Sequence, residues 1–278
     1  MNLYVMLALR TPAAPNPVLV DTFRILRQRG CNIELGTGKE LLLQLDRLAM
    51  PHDLYILKSH AALWLSLAEI VHAHGGRLLN PFPACLAVQN KIVAIERMRA
   101  AGIPTPRSWV TSDPNLLRSM VEEHPVVIKP YNGGRGIGVR VVRDPHELAK
   151  APQPTDPVVI QEYIRHDEEL KVYVIGEEAF GMSTRSWSRN GRRRPCPISR
   201  EVREIALGCG RVFGLGLYGL DVIDGVDGPT VIDLNYFPSY RDVPHAAELI
   251  ADFIEDYALG GAGEGVRDAV GIIDEAVA

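Results

Sequence analysis

Apolar and polar positions alternate along this chain in two distinct rhythms. Leu3 to Leu9 is an unbroken apolar stretch of strand length. From Asn16 to Arg29 the apolar Val18, Phe23, Ile25 and Leu26 are interleaved with Asp21, Arg24 and Arg27 at helical spacing, and Gly30 stops the helix. Asn32–Leu35 and Leu54–Lys58 read as short strands, and Ala61–His74 as a helix ending at Gly75-Gly76. This β-α-β-(α)-β-α order predicts a small α/β lobe with a parallel sheet, over residues 1–85.

The pattern then changes. Asn90–Ala101 is helical and is closed by Gly102; Pro104 and Pro106 force the following SWV into extended chain. Val126–Lys129 and Gly138–Val142 read as strands on either side of a glycine-rich loop, and Ala151–Pro157 (APQPTDP) is a connector, closing a central lobe over 86–157. Val158–Tyr163 and Leu170–Ile175 are extended, Arg200–Phe213 is a helix, and Leu220–Ile223 with Thr230–Leu234 suggest a hairpin around GVDG. Pro244–Tyr257 is the last helix of a third lobe over 158–259, and 260–278 reads as a flexible tail or a loosely held helix.

Chemistry concentrates in the second half. In VVIKPYNGGRGIGV, a β-branched run delivers Lys129 to a loop holding Gly133, Gly134, Arg135, Gly136, Ile137 and Gly138. Glycines let backbone N–H groups approach a phosphate closely, and the lysine adds a point charge. No Gly-Lys-Ser/Thr ends the loop, so it is not a P-loop. Further on, Asp233 and Asn235 in VIDLN share one strand face, and the hairpin can bring Asp221 across to them. Two carboxylates and an amide oxygen suit magnesium. A solvated strand face is the plain alternative, but the apolar surroundings make unpaired carboxylates costly there.

Other positions carry weaker signals. Gln161, Glu162, Tyr163 and Ile164 form an extended segment with a polar kink, which could present backbone groups to adenine or simply end a strand. Glu169 and Lys171 alternate with apolar neighbours and could line a cleft or form a cross-strand ion pair. In STRSWSRNGRRRP, the tip from Arg189 to Arg193 reads as solvated, while Arg185 and Arg194 lie nearer strand ends and could reach a cleft. His166 is a possible substrate contact or a solvated loop residue. Lys91 puts a cation at a helix N-terminus, where the dipole disfavours it unless an anion sits nearby.

Composition narrows the partners. A net charge of −4 argues against general nucleic-acid binding, and 46% apolar with 23% charged residues over 278 positions is ordinary for a globular chain. Four cysteines without zinc-ligand spacing point to a reducing, cytoplasmic setting. The apolar N-terminus is cut by Arg10, too short to span a membrane, and reads as a buried strand.

From Pro81 to Tyr257 these motifs, in this order, resemble the ATP-grasp superfamily: NKIVAIERMRAAGIPTP, VVIKPYNGGRGIGV, VIQEYI, and LDVI followed by VIDLN. The resemblance implies an α/β ATP-grasp fold behind an N-terminal Rossmann-like pre-ATP-grasp lobe. It assigns ATP phosphates to Lys91, Lys129 and Gly133–Gly138, the adenine edge to backbone atoms of Glu162 and Ile164, ribose to Glu169, and magnesium (with manganese able to substitute) to Asp221, Asp233 and Asn235. The glycine loop is similar to the RimK glutamate-ligase type. EELKVYVIG and VIDLNYFPSY are similar to ATP-grasp inositol polyphosphate kinases, since Asp233 stands where many ligases carry glutamate. RSWSRNGRRRP lacks the usual arginine–serine–asparagine run of RimK. The expected activity is a carboxylate–amine ligase acting through an acyl phosphate, with Arg185, Arg194 and Lys171 at the reacting groups. A polyol kinase and a non-catalytic nucleotide binder are the alternatives. A small-molecule or peptide substrate and a homo-oligomer are the partners this implies.

Overall fold

The first rhythm builds a parallel sheet. β1 (Asn2–Leu7), α1 (Pro17–Gln28), β2 (Asn32–Gly36), β3 (Leu54–Lys58), α2 (Ala62–Ala73) and β4 (Leu78–Leu79) assemble with strand order β2-β1-β3-β4, all parallel. Leu3, Val5, Leu54 and Ile56 are wholly buried, as two-sided parallel strands require. The structure is a computed structural model and describes residues 1–7, 16–38, 41–133, 136–151, 154–166, 168–185 (backbone only at 184 and 185), 193–225 and 227–261.

Two helices, α3 (Phe82–Gln89) and α4 (Lys91–Ala100), lead into the central lobe. There β5 (Ser108–Thr111), α5 (Arg118–Glu123), β6 (Val126–Pro130), β7 (Arg140–Val142), α6 (Pro145–Ala149) and β8 (Val158–Glu162) form an antiparallel sheet ordered β5-β8-β6-β7. Hydrogen bonding carries this sheet one strand past the proline-rich connector. The lobe has an apolar cluster of its own, including Leu117, Val121, Val126, Ile128, Leu148 and Ile160.

The last lobe consists of β9 (Glu168–Ile175), β10 (Glu178–Arg185), β11 (Arg194–Cys196), α7 (Arg200–Phe213), β12 (Leu217–Gly225), β13 (Gly228–Tyr236) and α8 (Ala246–Leu259), with strand order β11-β10-β9-β12-β13. The expected hairpin around GVDG is β12–β13, and its register sets Asp221 opposite Asp233.

The first and last lobes share one hydrophobic cluster. α8 returns to the first lobe: Arg29 Nη1 reaches Asp252 at 2.7 Å and Glu255 at 2.5 Å, and Tyr257 Oη donates to the Leu78 carbonyl at 2.8 Å. Buried Asn80 fastens the same seam. Its Nδ2 donates to the Leu217 carbonyl at 2.8 Å, and its Oδ1 accepts from the N–H groups of Gly216 (2.9 Å) and Leu217 (3.0 Å).

Candidate active site

Three lysines and two aspartates converge where the lobes meet. Asn90 caps α4 by accepting from the N–H groups of Ile92 (3.1 Å) and Val93 (3.4 Å), which sets Lys91 in the first helical turn. Lys91 Nζ lies 2.5 Å from Asp233 Oδ1 on β13, so a carboxylate offsets the unfavourable helix dipole. On β6, Ile128 points into the central cluster, and alternation turns Lys129 the other way. Lys129 is 8% exposed, and its Nζ donates to the Ile232 carbonyl at 2.9 Å. Across the other sheet Lys171 pairs with Asp221 in register, their side chains 2.6 Å apart. Asn235 Nδ2 donates to Asp233 Oδ2 at 3.0 Å, so both oxygens of Asp233 are engaged. Glu169 lies two residues before Lys171 and shares its face.

Burial and pairing compete for each charge. Burial alone would raise the Asp233 pKa, but Lys91, Lys129 and Lys171 outweigh it and hold the carboxyl below its ordinary value. Burial opposes the Lys171 ammonium too, yet Asp221 and Asp233 keep its pKa above that of a free lysine. Lys129 goes the other way: burial dominates over the pull of Asp233, and its pKa is lowered. Glu169 is raised by burial and then by Asp221.

Beside this cluster, Gln161 lines a small cleft with Lys129 and Asp233. It is buried, and its Nε2 donates to Ser108 Oγ at 3.2 Å. The N–H of Glu162 donates to the Arg107 carbonyl at 3.0 Å and that of Tyr163 to the Pro125 carbonyl at 3.1 Å. The Glu162 carboxylate pairs with Arg107 at 2.8 Å. In the glycine loop Gly133, Gly136 and Gly138 adopt φ of 129°, 67° and 77°, and Ile137 is 75% exposed. Gly134 and Arg135 lie outside the described residues. At Gly138 a Cβ would fall 2.7 Å from Pro130 Cγ, in a backbone region that side chains avoid. Gly138→Ala is therefore expected to distort the loop and to destabilise the protein by about 1 kcal/mol or more; thermal unfolding would check this.

The description of a RimK-like ATP-grasp domain matches residues 88–252, more than half of the chain. The chain belongs to the RimK-like ATP-grasp family. The beta-citrylglutamate synthase B of Danio rerio is 27% identical over 178 residues, covering 57% of this chain and 44% of that protein. A probable alpha-L-glutamate ligase of Saccharophagus degradans is 24% identical over 201 residues, covering 64% of this chain and 66% of that protein. The chain thus spans about half to two thirds of the length of these curated relatives. The crystal structure of D-alanine–D-alanine ligase from Bacillus anthracis complexed with ATP superposes with a TM-score of 0.74 at 18% identity, covering 95% of this chain and 99% of that one.

Within this RimK-like ATP-grasp fold the arginines fall differently from the expectation. Arg194 is exposed on β11, opposite Ser183, rather than turned into the cleft. The side chain of Arg185 and the residues Arg189 and Arg192 lie outside the described set. Arg193, read from sequence as part of a solvated tip, donates from Nη1 to Tyr173 Oη at 3.0 Å and lies 3.9 Å from Asp242. It precedes β11, where the alternation that assigns faces has not begun. His166 Nδ1 lies 2.7 Å from the Ile164 carbonyl. In the segment after β13, Phe237 and Tyr240 hold positive φ of 38° and 53° although both are bulky and buried, a backbone feature that their residue types do not signal.

Proposed function

We propose that this chain is an ATP-dependent carboxylate–amine ligase that forms an amide bond through an acyl phosphate, with an acidic amino acid such as glutamate as the amine substrate. The observation that carries the reading is the Lys91–Asp233 and Lys171–Asp221 pairing beside Lys129, at the meeting of the lobes. The glutamate ligase and glutamate-containing synthase names of its relatives support the ligase over a kinase and suggest the amine.

In this reading Lys91, Lys129 and the loop from Gly133 to Gly138, with Gly134 and Arg135, hold the ATP phosphates. Backbone atoms of Glu162 and Ile164 meet adenine; because the Glu162 N–H is taken by Arg107, its carbonyl would serve. Glu169 takes the ribose. Two carboxylates opposed across the hairpin, with an amide beside them, fit an oxygen-seeking divalent cation, so Asp221, Asp233 and Asn235 would hold magnesium or manganese. The cation would neutralise charge on the transferring phosphoryl group.

An oxygen of the substrate carboxylate attacks the γ-phosphorus, the bond to the β-phosphate oxygen breaks, and ADP leaves. The amine nitrogen then attacks the acyl carbon, the carbon–oxygen bond to phosphate breaks, and the amine gives up a proton. The protein supplies position and electrostatics rather than a nucleophile. Lys171 holds Asp221 in place, and an arginine of the 185–194 segment steadies the carboxylate.

No described helix is long and apolar enough to cross a membrane. Free cysteines at 31, 85, 196 and 209 are in keeping with a cytoplasmic protein. Incubation with Mg²⁺-ATP, amino acids and short carboxylate-bearing peptides tests the reading. One free phosphate per ADP, appearing only when both carboxylate and amine are present, is expected. ADP without free phosphate and a phosphorylated polyol would replace the ligase with a kinase.

A further inference from the structure

Two cations stand at opposite ends of a buried aromatic row. At one end Arg193 donates to Tyr173 Oη at 3.0 Å. The ring of Tyr173 lies 5.4 Å from that of Tyr240, which lies 6.3 Å from that of Phe237. At the other end Lys58 Nζ sits 5.1 Å from the Phe237 ring centroid.

The row is held rigidly. Tyr240 Oη donates to the Val174 carbonyl at 2.8 Å, the Phe237 N–H to the Leu217 carbonyl at 2.7 Å, and Asn16 Nδ2 to the Ser239 carbonyl at 2.9 Å. Left-handed backbone at Phe237 and Tyr240 persists because these contacts over-determine it, a pattern that clusters at ligand sites. Tyr173 is two residues beyond Lys171, and Phe237 two beyond Asn235. The row therefore starts at the lysine–aspartate cluster and ends at Lys58, on the carboxyl edge of the parallel sheet, where open α/β sheets bind ligands.

Two separated cations suit two separated anions. Arg193 donates to Tyr173, two residues beyond Lys171 on the same strand face, which puts it at the reacting end; its guanidinium fork matches a carboxylate. Lys58 is a compact ammonium on a flexible stem, suited to a carboxylate that does not react. We propose that Lys58 is a specificity-determining residue that takes the side-chain carboxylate of an acidic amino acid serving as amine substrate. The inference rests on the ligase reading above and goes beyond it by naming the group that selects the amine.

The test uses the full chain with Mg²⁺ and a non-hydrolysable ATP analogue. Binding of L-glutamate and L-glutamine is measured calorimetrically for wild type, Lys58→Met and Lys58→Arg, with the analogue's own affinity as a check on folding. Wild type should prefer glutamate by about tenfold or more, as expected for one lost ion pair. Lys58→Met should lose that preference by weakening glutamate alone, and Lys58→Arg should keep it. Equal wild-type affinities, or a Met variant that weakens both ligands alike, would overturn the role of Lys58. Product analysis separates the two readings: amide formed from amino acids without a glutamate preference removes Lys58 and leaves the ligase, whereas no amide from any amino acid removes both.

Discussion

Lys129→Met should abolish ATP turnover, by about a thousandfold or more on the scale of removing a preorganised donor to developing charge, and should not lower the stability of the nucleotide-free protein. The two halves of this expectation have one cause. Lys129 is almost wholly buried, its ammonium has a backbone carbonyl as its hydrogen-bond partner, and its pKa is lowered because burial outweighs the pull of Asp233. A base whose folded pKa lies below its unfolded value, about 10.4, carries a cost at every pH below the folded pKa. That cost fades as pH rises through the folded pKa toward the unfolded one. The methionine variant should therefore unfold at an equal or higher temperature near neutrality, and the difference should narrow as pH climbs toward 10. ATP should stabilise the wild type much more than the variant. Calorimetric scans with and without nucleotide check both halves; normal turnover in the variant would remove Lys129 from the phosphate site.

Asp233→Asn is expected to cost both activity and stability. It removes the carboxylate that faces Lys91 at 2.5 Å and whose pKa Lys129 and Lys171 also hold down. Deleting one member of this partly buried pair leaves the other charge uncompensated, at a cost of up to about 3 kcal/mol, the lower end of the range for fully buried pairs. The folded pKa of Asp233 lies below its unfolded value, so its contribution is complete above about pH 4 and disappears as pH falls through the folded pKa. Wild type and variant should differ most at neutral pH and converge in acid, which denaturant titrations at several pH values would show. Turnover should drop by about a thousandfold, on the scale of losing a charge-stabilising group, and extra magnesium should not restore it.

The hairpin was legible from the GVDG turn, but the opposition of Asp221 and Asp233 was not: the register of the turn leads Asp221 to Ile232, and a shift between Asp221 and Val222 moves it on to Asp233. The parallel first sheet was legible from its alternating helices. β10 was not: Gly181 interrupts its pattern, and it is there because a Cβ would fall 2.7 Å from the Cys196 carbonyl oxygen on β11. α3 was not legible: it is apolar almost throughout and so lacks helical alternation, although Pro81 and Pro83 suit a helix start. The site was legible as a set of residue types; its pairing was not. That Lys91 meets Asp233 is decided by how α4 packs on the last lobe, and that Lys171 meets Asp221 by which strand lies beside β9. Arg193 was missed for the same reason, since its partner Tyr173 lies two strands away from β11.

The return of α8 to the first lobe bears on how the chain is made. A ribosome releases β1 to β4 first, and small domains commonly fold as they emerge, N-terminal part first. Here Arg29 and Leu78 wait for Asp252, Glu255 and Tyr257, so a lobe made before the other two is among the last to be finished. The nascent chain must carry an uncovered face of α1 through the synthesis of both later sheets, the period in which a holdase chaperone would have most to bind.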